Sequence, residues 1–185
     1  MTQLTYEWTG VNEVVEALGK FGKGLTDLRG FLGPAATVII ESSQKNFEAG
    51  GRPKWPPLSP VTVLLRGKKL RGYREHKRGA NKGRTTAASF NKYISGIKTL
   101  RDTGELMASI GSTGAGGIYN LSEKTVDVGT SLNYAALLQY GGTGSGFIKK
   151  QIPARPFLKV MPEDEVKILA FGDEFLAKLI KESGA

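Results

Sequence analysis

The sequence contains no cysteine, only one histidine and no long apolar run. Without cysteine there can be no disulfide and no thiolate nucleophile or metal ligand. The histidine, His76, lies among charged residues, where a solvated side chain is far commoner than a catalytic one. No apolar run approaches the roughly 20 residues of a membrane-spanning helix. The N-terminus has no basic start followed by an apolar stretch, so we expect no secretion signal.

No grouping of residues is typical of an active site. Asp102 and Glu105 could act as paired carboxylates, but Asp102 is explained more simply as a helix cap, a role that Asp102 or Thr103 can fill. The glycines from Gly111 to Gly117 match a dinucleotide-binding fingerprint only in composition, because no helix follows them and no βαβ unit surrounds them. We therefore expect no enzyme activity, no cofactor and no metal site.

The positive charge is concentrated in one segment. The net charge is +9, from 26 Lys and Arg against 17 Asp and Glu. Between Arg66 and Arg101, twelve basic residues stand against one acid, a balance of +11, and the other fourteen basic and sixteen acidic residues give −2. A segment so charged buries too little apolar surface to offset the entropy lost on ordering. We therefore predict a flexible basic insertion at 66–98.

This basic segment has two interpretations, which the sequence leaves open. Its side chains can displace counterions from phosphates, which makes DNA binding steeply salt dependent, or they can form a solvated loop or an interface with an acidic partner. No RNP-type, zinc-finger or helix-turn-helix pattern is present. The residues predicted to face DNA or an interface are Lys68, Lys69, Arg71, Arg74, Lys77, Arg78, Lys82, Arg84, Lys149, Lys150 and Arg155.

The remaining pattern predicts an α+β fold in a single domain, residues 1–185. One helix opens at Gly33-Pro34, and another opens at Pro162 with three acids in its first turn. Apolar and polar residues alternate in stretches between them, which indicates a small antiparallel sheet of about three to five strands packed by two or three main helices. The last helix is predicted to bury a single stripe of Val166, Leu169, Phe171 or Gly172, Phe175, Leu176, Leu179 and Ile180.

The stretch from Asn133 to Leu158 combines a short apolar segment, a glycine pair and two prolines. Tyr134–Tyr140 is predicted to be a short core-facing helix that ends at a glycine pair, a common C-cap signal. The Gly- and Ser-rich segment 141–151 is predicted to be a flexible loop. The segment after it is expected to return the chain to the domain.

Two proline-rich segments restrict the backbone of the chain. The first, 53–60, has four prolines in eight residues, which exclude a regular helix. Trp55 within it either anchors the loop by burying its ring or exposes the ring to a partner. In the second segment, Pro153 and Pro156 fix the backbone on either side of Arg155. Arg155 is expected to pair with a carboxylate of its own domain or of a neighbouring subunit.

Five motifs follow one another along the chain from about Pro34 onward. They are Phe47 with Gly50-Gly51, Trp55-Pro56-Pro57-Leu58-Ser59-Pro60 and Thr62; Leu100 with Thr103-Gly104-Glu105-Leu106 and Ser109-Ile110; Val126-Asp127-Val128-Gly129-Thr130; Tyr134-Ala135-Ala136 with Gln139-Tyr140-Gly141-Gly142; and Ile152-Pro153-Ala154-Arg155-Pro156-Phe157-Leu158. In this order they resemble the phage virion morphogenesis family, the tail-completion proteins of tailed phages (Mu G-like and P2 S-like). Two departures are Leu138, where members often carry His, and a longer, more basic stretch between Thr62 and Leu100.

The resemblance implies a small virion component at the end of the tail or at the head–tail junction (neck). It implies a ring, a hexamer, that completes the tail and lets it join the head. The implied partners are further copies of the chain, the tail tube or terminator, and neck or connector proteins. The basic arm could then also line a channel through which DNA passes, and no membrane contact is expected. The implied location is the virion, after assembly in the host cytoplasm. The motif residues given a structural role are Trp55, Gly104, Tyr134, Gln139, Gly141, Pro153, Pro156 and Phe157.

Overall fold

The computed structural model describes residues 11–69, 78–80, 82, 96–114, 116–144 and 151–184. The helices within these residues are α1 (Val11–Gly24), α2 (Arg29–Ala49), α3 (Pro60–Lys69), α4 (Glu105–Ser109), α5 (Ala135–Tyr140) and α6 (Pro162–Ser183). The strands are β1 (Gly117–Leu121), β2 (Val126–Thr130), β3 (Gly142–Thr143) and β4 (Gln151–Ile152). The predicted α+β class is confirmed, with the described strands divided between two two-stranded sheets, β1 with β2 and β3 with β4.

The chain divides into two compact units. Unit 1 comprises Met1–Glu41, Tyr119–Val128 and Val160–Ala185, and unit 2 comprises Ser42–Ile118 and Gly129–Lys159. Both α2 and the β1–β2 hairpin contribute residues to each unit. None of the helices in the described part of the chain combines the length and the apolar character that a membrane span requires.

Helix α2 starts one turn earlier than the sequence predicts. Pro34 lies inside the helix, which begins at Arg29. The carboxylate of Asp27 accepts the backbone N–H of Arg29 at 3.1 Å, and this contact satisfies one of the unpaired donors at the helix start. The backbone N–H of Leu28 donates to the carbonyl of Glu123 at 2.7 Å and so ties this start to the turn of the β1–β2 hairpin.

Helix α6 packs against other parts of unit 1 through one face. The ring of Phe175 lies against Gly30 of α2, and Leu179 lies against Gly24 at the end of α1. At its first turn the backbone N–H of Met161 donates to the buried carboxylate of Asp164 at 3.2 Å. Proline and acids in the first turn therefore start this helix as predicted.

The prediction of a single buried stripe on α6 is wrong. Phe175 and Leu179 are half-buried, but four other members of the stripe are exposed: Val166 by 67%, Leu169 by 68%, Leu176 by 41% and Ile180 by 47%. The helix has apolar residues on two faces because each set recurs at its own spacing of three and four residues. One face packs within unit 1 and the other meets solvent.

Unit 2 has an aromatic core around Phe47, near the end of α2. Phe47 is 1% exposed. Its ring centroid lies 5.7 Å from that of Trp55, edge to face, and 5.6 Å from that of Phe157. Such contacts join α2 to both proline-rich segments, and aromatic pairs of this geometry stabilise a core beyond the area that they bury.

Candidate functional site

The two proline-rich segments of unit 2 hold each other by a reciprocal exchange of side-chain hydrogen bonds. The indole N–H of Trp55 donates to the carbonyl of Pro156 at 3.0 Å. In return, Nε of Arg155 donates to the carbonyl of Pro56 at 3.0 Å and Nη2 donates to that of Pro57 at 2.9 Å. Prolines have no N–H with which to build a backbone ladder, so side-chain donors satisfy these carbonyls instead. We call Trp55, Pro56, Pro57, Arg155 and Pro156 the proline clamp.

Gln139, on α5, fixes the backbone that follows the clamp. Its Oε1 accepts the N–H groups of Phe157 at 3.0 Å and Leu158 at 3.1 Å, and its Nε2 donates to the carbonyl of Leu158 at 2.9 Å. A primary amide can accept and donate at once, which a carboxylate cannot do. The backbone N–H of Arg155 also donates to the carbonyl of Leu138 at 2.8 Å, so α5 holds this segment at three residues, Arg155, Phe157 and Leu158.

A buried polar network on α2 holds the same segment from another side. Nδ2 of Asn46 donates to the carbonyl of Phe157 at 3.1 Å. The guanidinium of Arg52 donates to Oδ1 of Asn46 at 2.9 Å and to the hydroxyl of Ser42 at 2.8 Å. Asn46 and Ser42 are fully buried. Sequence reasoning missed this network, and the signal for it is a pair of polar residues, Ser42 and Asn46, four apart on the helix face that also carries Val38.

Glycine is required at two positions beside the clamp. Gly51 has a φ of +98°, and a β-carbon there would lie 2.6 Å from the Trp55 ring. Gly141 has a φ of +73°, and a β-carbon there would lie 2.7 Å from the backbone nitrogen of Ala154. Both the left-handed backbone and the close approach exclude larger residues. These two glycines therefore set the distance between the packed segments.

Among the described residues Arg155 pairs with no carboxylate of its own chain, and a carboxylate of a neighbouring subunit stays a prediction. Its side chain is 5% exposed and, within the described residues, its guanidinium bonds to the two proline carbonyls rather than to a carboxylate. The physical reason is that proline leaves those carbonyls without backbone partners. Burial, and then the charge of Arg66, lower the pKa of Arg155. Contact of Arg155 with DNA or with another subunit stays a prediction.

A cavity of 520 Å³ lies beside the clamp within unit 2. Its wall includes Leu58, Leu100, Leu106, Leu138, Ile152 and Arg155. On its polar side, Nε of Arg66 lies 3.6 Å from a carboxylate oxygen of Asp102, and the hydroxyl of Tyr134 donates to Glu105 at 3.4 Å. Burial, and then the charge of Glu105, raise the pKa of Tyr134, so this phenol stays protonated and serves as a hydrogen-bond donor.

Of the two residues expected to cap α4, Asp102 and Thr103, Thr103 contacts the start of the helix. Gly104, with a φ of +86°, occupies the N-cap position and offers no side-chain cap. The hydroxyl of Thr103 accepts the backbone N–H of Glu105 at 3.3 Å, while Asp102 faces Arg66 instead. Tyr134, expected to face the core, is 38% exposed, and the buried residue of α5 is Ala135.

Most of the basic residues predicted to face DNA or an interface lie outside the described part of the chain. Those residues are Arg71, Arg74, Lys77, Arg84, Lys149 and Lys150. Lys68 and Lys69 end α3, and Arg78 and Lys82 are exposed. Most residues of the predicted flexible segments 66–98 and 141–151 likewise lie outside the part of the chain that the structure describes. The role of these residues therefore stays a prediction.

The described residues offer no cluster of three or more His, Asp or Glu side chains that could hold a metal ion.

The sequence profile of the phage virion morphogenesis family matches residues 7–176 of this chain. A similar protein is the Mu-like prophage FluMu G protein 2 of Haemophilus influenzae, which is 31% identical over 175 residues, 95% of this chain and 97% of the relative. No solved structure matches the chain at a significant level.

Proposed function

Because the chain belongs to the phage virion morphogenesis family, we propose that it is a tail-completion protein, forming a ring that finishes the tail and joins it to the head. Its structural role in phage virion assembly follows from the family. The finer role is supported by the relative from a Mu-like prophage, which aligns with this chain over nearly the full length of both. The proposed partners are further copies of the chain, in a hexamer, together with the tail tube or terminator and the neck proteins.

The observation that carries this proposal is the internal use of the motif residues. Trp55, Gln139 and Arg155 direct their polar atoms at backbone groups of the chain itself, at 2.9–3.1 Å. They hold two loop segments in one fixed arrangement. A subunit of a ring needs such a preformed surface, since a closed assembly repeats the same contact at every interface. We accordingly propose a non-enzymatic role.

The test is whether the purified protein completes isolated tails. Tails from a phage that lacks this gene product should gain an extra ring at one end in electron micrographs, and should then join filled heads to give infectious particles. A point variant that unfolds the clamp, such as Gly51→Ala, serves as the negative control. A protein that stays monomeric at micromolar concentration and never binds tail ends would refute the proposal.

A second candidate function is DNA contact through the basic segment. The balance of +11 between Arg66 and Arg101 supports it. In a ring, this segment would line the channel through which DNA passes, so the two functions are compatible. Deletion of Lys68–Arg84 should abolish both the binding of duplex DNA and its dependence on salt concentration. Unchanged affinity after the deletion would remove this candidate.

A further inference from the structure

The two units of the chain carry opposite charges. Unit 1 has thirteen acids against seven lysines and arginines, a balance of −6, whereas unit 2 has nineteen lysines and arginines against four acids, a balance of +15. Two copies of such a chain attract each other where unit 1 of one copy meets unit 2 of the next, and repel each other where like units meet. The charge distribution therefore favours contacts between unlike units.

Unit 1 exposes an apolar stripe along α6. Val166 is 67% exposed, Leu169 68% and Leu176 41%. Together with the exposed Asp173 they recur at intervals of three and four, which places them on one side of the helix. The helix carries six acids against three lysines, and one of these acids, Asp173, lies within the stripe. We call these four residues the α6 stripe, an apolar surface on an acidic helix.

Unit 2 exposes a smaller apolar edge on α3. Val61 is 61% exposed, and Leu65, about one turn later, is 57% exposed. Another side of this helix, at Thr62 and Arg66, lines the cavity beside the clamp. The helix has no acid in its sequence and ends in Arg66-Gly67-Lys68-Lys69. Val61 and Leu65, which we call the α3 edge, are therefore an apolar surface next to a basic helix end.

We infer that the α6 stripe of one copy packs on the α3 edge of the next copy. Both surfaces present aliphatic residues at helical spacing, so the contact removes apolar area from water on each copy. The acids of α6 meet the basic end of α3, and this complementarity favours α3 over a second α6, since two acidic helices would repel each other. It also disfavours nucleic acid, whose phosphates an acidic helix repels.

A contact between two different surfaces leaves each pair of copies open to further growth. One copy keeps its α3 edge and the other keeps its α6 stripe, so copies add until the rotation from one to the next closes a ring. A contact between two copies of the same surface would instead close a dimer. The inference thus rests on the proposed function, the ring, and names the two surfaces that join its subunits.

Two single variants test the contact when mass is measured over a range of concentrations and rings are counted at tail ends. Leu169→Lys places a cation opposite the basic end of α3, and Leu65→Glu places a carboxylate opposite acidic α6. Each should raise the concentration at half-association about tenfold or more, because the contact brings like charges together. The matched control is Leu18→Lys on α1, at a leucine of unit 1 that is 64% exposed, and it should match the wild type. All three should keep the wild-type Tm, because the altered side chains are exposed in the single chain.

Mixing the two variants distinguishes a contact between unlike surfaces from one between like surfaces. The Leu65→Glu copy keeps an intact α6 stripe, and the Leu169→Lys copy keeps an intact α3 edge. The mixture should therefore form at least pairs with one copy of each, at concentrations where each variant alone is monomeric. Wild-type association should also weaken as the salt concentration rises from about 0.05 to about 0.5 M, because salt screens the attraction between the units.

Four results would overturn the inference, and they separate it from the proposed function. If the wild type associates, in solution or at tail ends, and both variants do so equally well, the contact lies elsewhere and the proposed function stands. If both variants associate less but their mixture stays monomeric, α6 does not meet α3. If the variants lose Tm without any change in mass, the altered surface is covered within the same chain. If the wild type is monomeric and never binds tail ends, both the inference and the proposed function fail.

Discussion

Replacing Arg155 with alanine should lower the free energy of unfolding by about 3 kcal/mol. The guanidinium makes hydrogen bonds of 3.0 and 2.9 Å to the carbonyls of Pro56 and Pro57. Bonds from a charged donor each contribute about 1.5–3 kcal/mol, which gives an upper limit of about 6 kcal/mol for the pair. Two effects reduce this limit: burying the cation has its own desolvation cost, and water in the adjoining cavity can replace part of the lost donors.

Two further variants separate the fork geometry from the charge. Arg155→Lys keeps the charge and most of the apolar stem, but a compact ammonium cannot span two carbonyls as a planar fork does. We expect it to lose about half as much stability, about 1.5 kcal/mol. Arg78→Ala is the matched control at an exposed arginine and should change stability by less than about 0.5 kcal/mol. Urea unfolding, followed by tryptophan fluorescence, measures all three.

A double-mutant cycle with Trp55→Phe tests whether the clamp acts as a unit. The phenylalanine ring keeps the core contact with Phe47 but loses the hydrogen bond to Pro156. Because both partners hold the same two segments, the combined loss should differ from the sum of the single losses by about 1 kcal/mol. Stability within about 0.5 kcal/mol of the wild type for Arg155→Ala, together with lost binding to tails, would refute the reasoning and make Arg155 an interface residue.

Three other substitutions probe the same framework. Gln139→Ala removes three hydrogen bonds and should lower the free energy of unfolding by about 2–4 kcal/mol in urea titrations; a loss below about 1 kcal/mol would mean that water replaces the amide. Gly104→Ala should lower the free energy of unfolding by about 1 kcal/mol because of its positive φ alone. Gly51→Ala should lower it by more than twice as much, because the added carbon also meets Trp55. Equal changes in Tm for the two variants would contradict this packing argument. Hydrogen bonds from Arg29 lower the pKa of Asp27 from 3.8 to about 2. The ionised carboxylate therefore stabilises the fold fully above pH 3.8, and this contribution is lost as the pH falls through 2. The difference in Tm between the wild type and Asp27→Asn should disappear over that pH range.

Features that depend only on residues adjacent in the sequence were predictable. The start of α6 at Pro162, with acids in its first turn, and the end of α5 at Gly141 follow from local backbone chemistry. The clamp was not predictable in this way. Its hydrogen bonds join residues about a hundred positions apart, and no local pattern tells which carbonyls a distant arginine will meet. Within the described chain the guanidinium meets proline carbonyls rather than a carboxylate, because the proline-rich segment offers acceptors without backbone partners.

The periodicity of apolar residues also fails to predict which helix face is buried, as α6 illustrates. A spacing of three and four places residues on one face of a helix but does not say whether the chain itself covers that face. Leu179 and Ile180 are adjacent in the sequence and both belong to an apolar stripe, yet Leu179 packs against Gly24 and Ile180 is 47% exposed. The single stripe of the prediction merged two faces with different roles.

The two units use polar and apolar residues in opposite ways, and this contrast bears on assembly. In unit 2, Ser42, Asn46 and Arg155 are buried and bond to backbone carbonyls or to Arg52, which gives a fixed framework. In unit 1, Val166 and Leu169 are 67% and 68% exposed along a helix whose other face already packs within the unit. A chain that worked alone in water would gain nothing from a second apolar face on α6 and would risk aggregation. Under the proposed role as a repeated subunit, the framework would give every copy the same shape, and the exposed stripe would be buried on assembly.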